Sequence, residues 1–339
     1  MDYSQILSQQ FNIKEEYAKN IITLLDDGNT IPFIARYRKE MHGSMDDQLI
    51  REFAEKLEYL RGLDKRRDEI RSLIDAQKKL TDEINLALDK AATLSELEDI
   101  YRPYRPKRKT RASIAKEKGL EPLANDILKQ EKGFDPSKSA VDYIDEEKGV
   151  TSVEDAIQGA MDIIAELVSD NAEIRKRIRN LTNANGVLVS VATDEEKDSV
   201  YKNYYDYKEP VKKIAGHRVL AVNRGEKEGF LKVSVETDSE KPLNSIFRAM
   251  ITDKNQLCSD IIREACTDAY QRLIYPSIER EVRNDLTDTA AENAMKVFAV
   301  NLKQLLMQPP VKGKTVLALD PGYRTGCKTA VVDSTGKVL

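Results

Sequence analysis

Apolar residues recur at helical spacing through most of the chain, and this pattern predicts a mainly α protein. Ile50, Phe53 and Leu57 lie three or four residues apart, which places them on one face of a helix. Asp46 precedes this face, and a side-chain oxygen there can accept the unpaired N–H groups of a first turn. The sequence therefore predicts one long helix over roughly residues 46–77.

The same spacing, interrupted at proline and glycine, predicts most of the remaining chain as further helices. They are two short helices within residues 3–28, a helix opening at Thr81, a helix over residues 94–101, a helix opening with a capping box of Thr151 and Glu154, and two long helices after Pro242.

A smaller part of the chain is predicted as strand. Residues 187–191, 218–222 and 230–235 are short apolar runs, and turn-forming residues between the last two predict an antiparallel hairpin. Two more strands are predicted at 315–319 and 328–333, after a double proline at 309–310 that marks a domain boundary. Because two strands alone cannot bury their faces, we expect the chain to stop inside a fold.

These elements divide the chain into three expected regions. Residues 1–195 are expected to form an N-terminal helical region. Residues 196–310 add a small antiparallel β element and the long helices that complete the helical region. Residues 311–339 supply the first strands of an α/β domain.

Composition places the chain among charged, folded proteins. Its 339 residues include 54 Lys and Arg and 58 Asp and Glu, for a net charge of −4. The first residues lack a secretory signal, no apolar run is long enough to span a bilayer, and the three cysteines show no C-x-x-C spacing. We therefore expect a cytoplasmic protein that does not bind membranes. Since phosphate-loop, dinucleotide and zinc motifs are missing from the sequence, we expect no cofactor.

One densely basic segment contrasts with the net negative charge of the chain. Residues 101–111 include six cations and no acid, and prolines at 103 and 106 interrupt helix. We predict an exposed loop in which cations bind phosphates and tyrosines stack on bases. Its predicted binding residues are Tyr101, Arg102, Tyr104, Arg105, Lys107, Arg108, Lys109 and Arg111. Two alternatives stay open: the arginines pair with acids on neighbouring helices, or they bind a protein partner.

A second basic segment, Arg36, Arg38 and Lys39, follows an apolar stretch and is predicted as the other wall of a basic groove. Salt bridges within the helical region would explain it equally well. The cations of residues 175–179 and the tyrosines of residues 201–207 are predicted to be structural. The reason is that cations favour a helix C-terminus and that tyrosines commonly pack in cores.

Four stretches resemble the bacterial Tex family of transcription accessory proteins. They are residues 31–40 (IPFIARYRKE), 97–111 (LEDIYRPYRPKRKTR), 217–226 (HRVLAVNRGE) and 316–326 (VLALDPGYRTG). The resemblance implies an N-terminal helical region with a helix-turn-helix unit, then a YqgF domain of the RNase H-like fold. It also implies a cytoplasmic protein whose partners are RNA or DNA, bound without sequence preference, and RNA polymerase. Full-length members continue into helix-hairpin-helix modules and an OB-fold RNA-binding domain.

Asp320 is the candidate for catalysis. RNase H-like nucleases carry a metal-binding carboxylate on their first strand, and Asp320 has that position, although aspartate before Pro-Gly is also a common turn former. Since two-metal hydrolysis needs further carboxylates, we expect a non-catalytic scaffold that binds RNA or DNA backbone through basic loops. The alternatives are a protein–protein scaffold that contacts the transcription machinery and a remnant of a metal-dependent nuclease.

Overall fold

The computed structural model describes residues 2–106, 109–252, 254–309, 312–322 and 326–339. The chain forms two compact units, Met1–Gly186 with Glu236–Val282, and Val187–Val235 with Arg283–Leu339. Helices dominate, and the strands form two small sheets. The predicted fold class, mainly α with a small β content, is confirmed.

The first unit is built of helices. They are α1 (Tyr3–Phe11), α2 (Glu15–Asp26), α3 (Ile31–Tyr37), α4 (Lys39–His42), α5 (Asp47–Asp75), α6 (Asp82–Lys90), α7 (Leu94–Tyr101), α8 (Arg111–Glu117), α9 (Glu121–Lys129), α10 (Pro136–Ala140), α11 (Val153–Ser169), α12 (Ala172–Asn185), α14 (Glu240–Met250) and α15 (Gln256–Asp268). Short 3-10 turns cover Arg102–Tyr104 and Val141–Tyr143. A π-helical segment, Ala269–Ile274, joins α15 to α16 (Tyr275–Leu306), which contributes residues to both units.

Helix α5 runs through two apolar cores of the first unit. Its first half meets α1 to α4 around the buried residues Leu7, Ile21, Ile34, Ile50 and Phe53. Its second half meets α6 and α7 around Leu63, Ile70, Leu88, Leu97 and Tyr101. Burying side chains of this size stabilises each core by about 1.5–3 kcal/mol per residue.

Capping side chains define where these helices begin. Asp46 accepts from the Leu49 N–H at 2.7 Å, so the predicted start of α5 is confirmed. The predicted box of Thr151 and Glu154 is wrong by one residue. Ser152 is the cap of α11 and accepts from the N–H of Asp155 at 3.1 Å.

The two long helices predicted after Pro242 are present, as α15 with the π-helical segment that follows it and as α16, and α14 is a further helix that was not predicted. Pro242 lies in the first turn of α14, which ends at Met250, and α15 begins at Gln256. Asn255 accepts from the N–H of Cys258 and thereby starts α15. Cys258 and Cys266 are both buried on this helix.

The second unit combines strands with α13 (Gly216–Lys227) and most of α16. Strands β1 (Val187–Ala192), β2 (Asp206–Pro210) and β3 (Leu231–Glu236) form a sheet in the order β2-β1-β3. Strand β1 pairs antiparallel with β2. Strands β4 (Val316–Gly322) and β5 (Gly326–Val332) form a separate antiparallel hairpin, as predicted.

The strand predicted over residues 218–222 is wrong, because this segment belongs to α13. Val219, Val222 and Gly225 are three residues apart and are the buried positions of that helix. A side chain at Gly225 would meet Leu231 Cδ1 at 2.5 Å, so β3 packs directly on the helix backbone there. A four-residue apolar run fits either element, and packing against β3 favours the helix. The hairpin predicted between 218–222 and 230–235 is therefore absent, and β1 is the neighbour of β3.

Candidate nucleic-acid interface

The second basic segment begins on helix α3, with Arg36, and continues through Arg38 to Lys39, the first residue of α4. Pro32 fits the first turn, where a missing N–H costs nothing, and Ile34 is fully buried in the core that α1 to α5 share. Phe33, Arg36 and Tyr37 are three and four residues apart, so they lie on one side of the helix, where Phe33 is half-buried and Arg36 and Tyr37 are exposed. Ile34 thus attaches α3 to the core, while Phe33, Arg36 and Tyr37 present aromatic and cationic groups.

We call Phe33, Arg36, Tyr37, Arg38 and Lys39 the α3 platform. The ring centroids of Phe33 and Tyr37 are 5.4 Å apart, and the Arg38 guanidinium lies 5.2 Å from the Phe33 centroid. Arg38 Nη1 also donates to the Tyr37 carbonyl at 3.2 Å. Tyr37 is 63 % exposed. The binding residues predicted from the sequence include the three cations but not the two rings, although Phe33 and Tyr37 are spaced four residues apart in the sequence.

The cations of the α3 platform are open to solvent. Arg36, Arg38 and Lys39 are all exposed. Within the described part of the chain, no carboxylate forms an ion pair with any of the three. Their positive charge is therefore available to a ligand.

The chain that follows the platform is fixed by a buried histidine and a glycine. His42, in α4, is fully buried, and its Nε2 lies 3.1 Å from the Ile34 carbonyl oxygen. Because a carbonyl can only accept, Nε2–H is the donor. Gly43 has φ +67°, and a Cβ there would lie 2.6 Å from the Tyr17 ring. These contacts hold α4 against α2 and α3.

The first half of the 101–111 segment is engaged inside the protein. Tyr101 is 6 % exposed in the core that α5, α6 and α7 share. The Arg105 guanidinium lies 5.6 Å from its ring centroid and pairs with Glu98. Arg102 Nε lies 3.4 Å from Asp170 Oδ1. Burial and the nearby Arg175 lower the pKa of Arg102. The ring of Tyr101 thus packs in the core and is not exposed for stacking on a base.

The second half of the segment is more open. Lys109 Nζ is 3.7 Å from Glu117 Oε2, and both side chains are largely exposed. Arg111, the first residue of α8, is exposed and has no ion pair with any residue that the structure describes. Tyr104 is half-buried against the core of α5 to α7. The predicted binding residues Lys107 and Arg108 lie outside the described residues.

The cations of residues 175–179 lie in the middle of α12, which corrects their predicted position at a helix C-terminus. Arg175 Nε donates to Asp99 at 2.6 Å, and Arg179 Nη2 donates to the same carboxylate at 2.7 Å. Both guanidinium groups also pair with Glu281: Arg175 Nη2 lies 3.0 Å from its Oε1, and Arg179 Nη2 lies 2.8 Å from its Oε2. Arg175 is only 1 % exposed. The prediction that this run is structural is confirmed for Arg175, which is buried, and for Arg179, which is largely buried, because both bind carboxylates within the first unit.

The tyrosines of residues 201–207 are also structural. Tyr201 is buried beside Leu188, Val222 and Leu231, and its hydroxyl donates to Glu228 at 2.8 Å. Tyr204 and Tyr205 pack against the same cluster. Tyr207 meets Tyr204 edge-on, with the ring centroids 5.3 Å apart.

Asp320 lies on β4, and its partner across the hairpin is Lys328 on β5. In the described ranges, no group of three or more His, Cys, Asp or Glu side chains is placed to hold a metal ion. Nor does any helix in these ranges have the length and apolar character that crossing a membrane requires.

Comparison with known proteins connects the three parts of the chain to one family. Residues 1–75 match the Tex-like protein N-terminal domain, residues 131–298 the Tex central region, and residues 314–339 the Tex protein YqgF-like domain.

Several curated relatives align with the whole chain. The protein YdcI of Bacillus subtilis is 46 % identical over 346 residues, and the transcriptional accessory protein Tex of Neisseria gonorrhoeae is 38 % identical over 350. The human S1 RNA-binding domain-containing protein 1 is 32 % identical over 356 residues. Each alignment covers all of this chain but only 48 %, 45 % and 35 % of the relative, so the chain spans less than half the length of these proteins.

Proposed function

Because the chain belongs to the Tex family, we propose that it is a non-catalytic, nucleic-acid-binding module of a transcription accessory protein. In this proposal the α3 platform, helped by Lys109 and Arg111, contacts the backbone of RNA or DNA without sequence preference. The observation that carries it is the exposure of Arg36 and Lys39, which have no acidic partner among the described residues. The names of the relatives, transcriptional accessory protein and S1 RNA-binding domain-containing protein, support the same class of ligand.

Because Arg102 and Arg105 are paired with carboxylates, we assign most of the phosphate binding to the α3 platform. Arg105 would have to leave Glu98, and Arg102 would have to leave Asp170, before either could bind a phosphate. A free surface cation loses no such contact, and its association with a phosphate releases condensed counterions. We therefore assign Arg102 and Arg105 a minor share of the binding free energy.

Salt dependence of binding tests the proposal. Four exposed cations without an ion pair among the described residues (Arg36, Arg38, Lys39 and Arg111) that each meet a phosphate would give a slope of log K against log salt of about −2.8 on single strands and about −3.6 on duplex DNA. Fluorescence anisotropy with labelled oligonucleotides of mixed sequence measures this slope.

Two double variants that remove the same charge distinguish loss of the binding site from a general loss of positive charge. Replacing Arg36 and Lys39 together by Ala should reduce the slope on single strands by about 1.4 in magnitude. Replacing Lys138 and Lys148 by Ala removes the same charge, but these lysines are paired with Asp135 and Asp145 on other parts of the chain. Equal effects of the two double variants, or no binding by the unaltered chain, would refute the proposed interface.

The proposal includes no hydrolysis. Two-metal hydrolysis of phosphodiesters needs several carboxylates around the metal ions, whereas the residue opposite Asp320 on β5 is the cation Lys328. Incubation with labelled RNA and DNA in Mg²⁺ or Mn²⁺ should give no cleavage. Cleavage that is lost in Asp320→Asn would overturn this part of the proposal.

A cytoplasmic setting with RNA polymerase as a partner rests on the family alone. Co-purification of polymerase with the tagged chain, with and without prior nuclease digestion, tests this contact. Polymerase that is retained after digestion indicates a direct protein contact. Polymerase that is lost indicates a bridge through nucleic acid.

A further inference from the structure

The rings of the α3 platform add an apolar face to a cationic surface. Tyr37 is 63 % exposed, and its ring meets Phe33 at a centroid distance of 5.4 Å and a tilt of 44°. A tilted contact covers only part of a ring, and most of the Tyr37 side chain is open to solvent. Among the described residues the Tyr37 hydroxyl has no hydrogen-bond partner.

Neighbouring contacts hold the Phe33 ring and the backbone at Tyr37 in place. The Arg38 guanidinium covers Phe33 at 5.2 Å and is tied to the Tyr37 carbonyl by a 3.2 Å hydrogen bond. Behind them Ile34 is fully buried, and its carbonyl oxygen contacts the buried His42. Because the backbone at Tyr37 is held and a tyrosine side chain has only two rotatable bonds, the ring can bind a second flat ring with little loss of conformational freedom.

We propose that Tyr37 is a base-stacking residue, so that the α3 platform binds unpaired nucleotides in preference to duplex. The argument is chemical complementarity: an exposed aromatic ring lies beside three exposed cations that have no carboxylate partner in the described ranges. An unpaired nucleotide offers a base for the ring and a phosphate for a cation at the same time. In a duplex the base faces are covered by their neighbours, so only the phosphates can bind. This inference rests on the proposed function, since it concerns the same surface.

The expected effect of losing the stack is large enough to measure. Removing one stacking aromatic residue weakens single-strand binding by a factor of about five to about 150. Binding to duplex DNA should change by less than about twofold, because the phosphate contacts remain. The ratio of the two affinities is therefore the diagnostic quantity.

The experiment measures affinities of the full chain for a labelled single strand and for the corresponding duplex at one salt concentration. Tyr37→Ala should lose the preference for the single strand, whereas Tyr37→Phe keeps the ring and should retain it. Tyr59 is the matched control, because it is 44 % exposed on α5 and has Lys56 Nζ 4.8 Å from its ring centroid. Tyr59→Ala should leave both affinities unchanged. A single strand with 2-aminopurine in place of adenine reports stacking directly, since its fluorescence should be quenched by the unaltered chain and not by Tyr37→Ala.

The outcomes separate this inference from the proposed function. If the Arg36 and Lys39 double variant weakens binding but Tyr37→Ala leaves both affinities unchanged, the phosphate interface stands and the stacking role is wrong. Equal loss on single strand and duplex in Tyr37→Ala would also overturn base stacking. If the unaltered chain binds neither probe, the proposed function fails and the stacking role fails with it. Circular dichroism of each variant confirms the fold, which an exposed position should not disturb.

Discussion

Removing one carboxylate from the buried charge network of the first unit should destabilise it strongly. Asp99, which is 4 % exposed, accepts from Arg175 at 2.6 Å and from Arg179 at 2.7 Å. In Asp99→Ala these two cations are left to share Glu281, the other carboxylate that contacts both.

The magnitude follows from the burial of Arg175, which is 1 % exposed. Two hydrogen bonds to a charged group are lost, each contributing about 1.5–3 kcal/mol. Removing one partner of a buried ion pair typically costs about 3–5 kcal/mol, because the remaining charge is left uncompensated out of water. We expect Asp99→Ala to lower the free energy of unfolding by about 3–5 kcal/mol.

Urea unfolding followed by circular dichroism measures this difference, with the two variants compared at equal slope. Asp68→Ala is the matched control, because Asp68 also pairs with an arginine, Arg71 at 2.7 Å, but its side chain is 72 % exposed. We expect that variant to change the free energy of unfolding by less than about 1 kcal/mol. A loss below about 1 kcal/mol in Asp99→Ala, or equal losses in both variants, would show that the network does not stabilise the unit as argued.

Two further predictions concern backbone conformation and thiol reactivity. Gly43→Ala should lower the free energy of unfolding by more than Gly28→Ala does. Both glycines have positive φ, but only at Gly43 would the new Cβ meet a side chain, at 2.6 Å, so equal losses would contradict the steric argument. In the native chain a thiol reagent at mildly alkaline pH should modify Cys327, which is exposed, while Cys266 stays unmodified because burial raises its pKa to about 12. Mass spectrometry of labelled peptides checks this, and rapid native labelling of Cys266 would contradict it.

The local pattern of apolar and capping residues was sufficient to predict much of the helical region. The long helix α5 and its cap at Asp46 could be predicted because both depend on residues within a few positions of each other. The strand prediction for residues 218–222 failed because a short apolar run carries no period of its own. This segment is helical because the buried face of α13 packs against Leu231 on β3.

The candidate interface was only partly visible in the sequence. The basic segments could be located from composition, and the open alternative of internal pairing applies to Arg102 and Arg105 but not to Arg36. The exposed ring of Tyr37 does not follow from helical spacing, because Tyr37 lies three residues from the buried Ile34 and so on the same side of α3, yet as the last residue of that helix it is 63 % exposed.

The sequence by itself determined the mainly helical fold, the family resemblance and the position of each cationic segment. Only the tertiary structure decided which of those cations are neutralised. Arg175 and Asp99 are 76 positions apart in the chain yet share a 2.6 Å hydrogen bond. Ion pairing depends on distance through space and on exclusion of water, and neither quantity is encoded in the local pattern of residues.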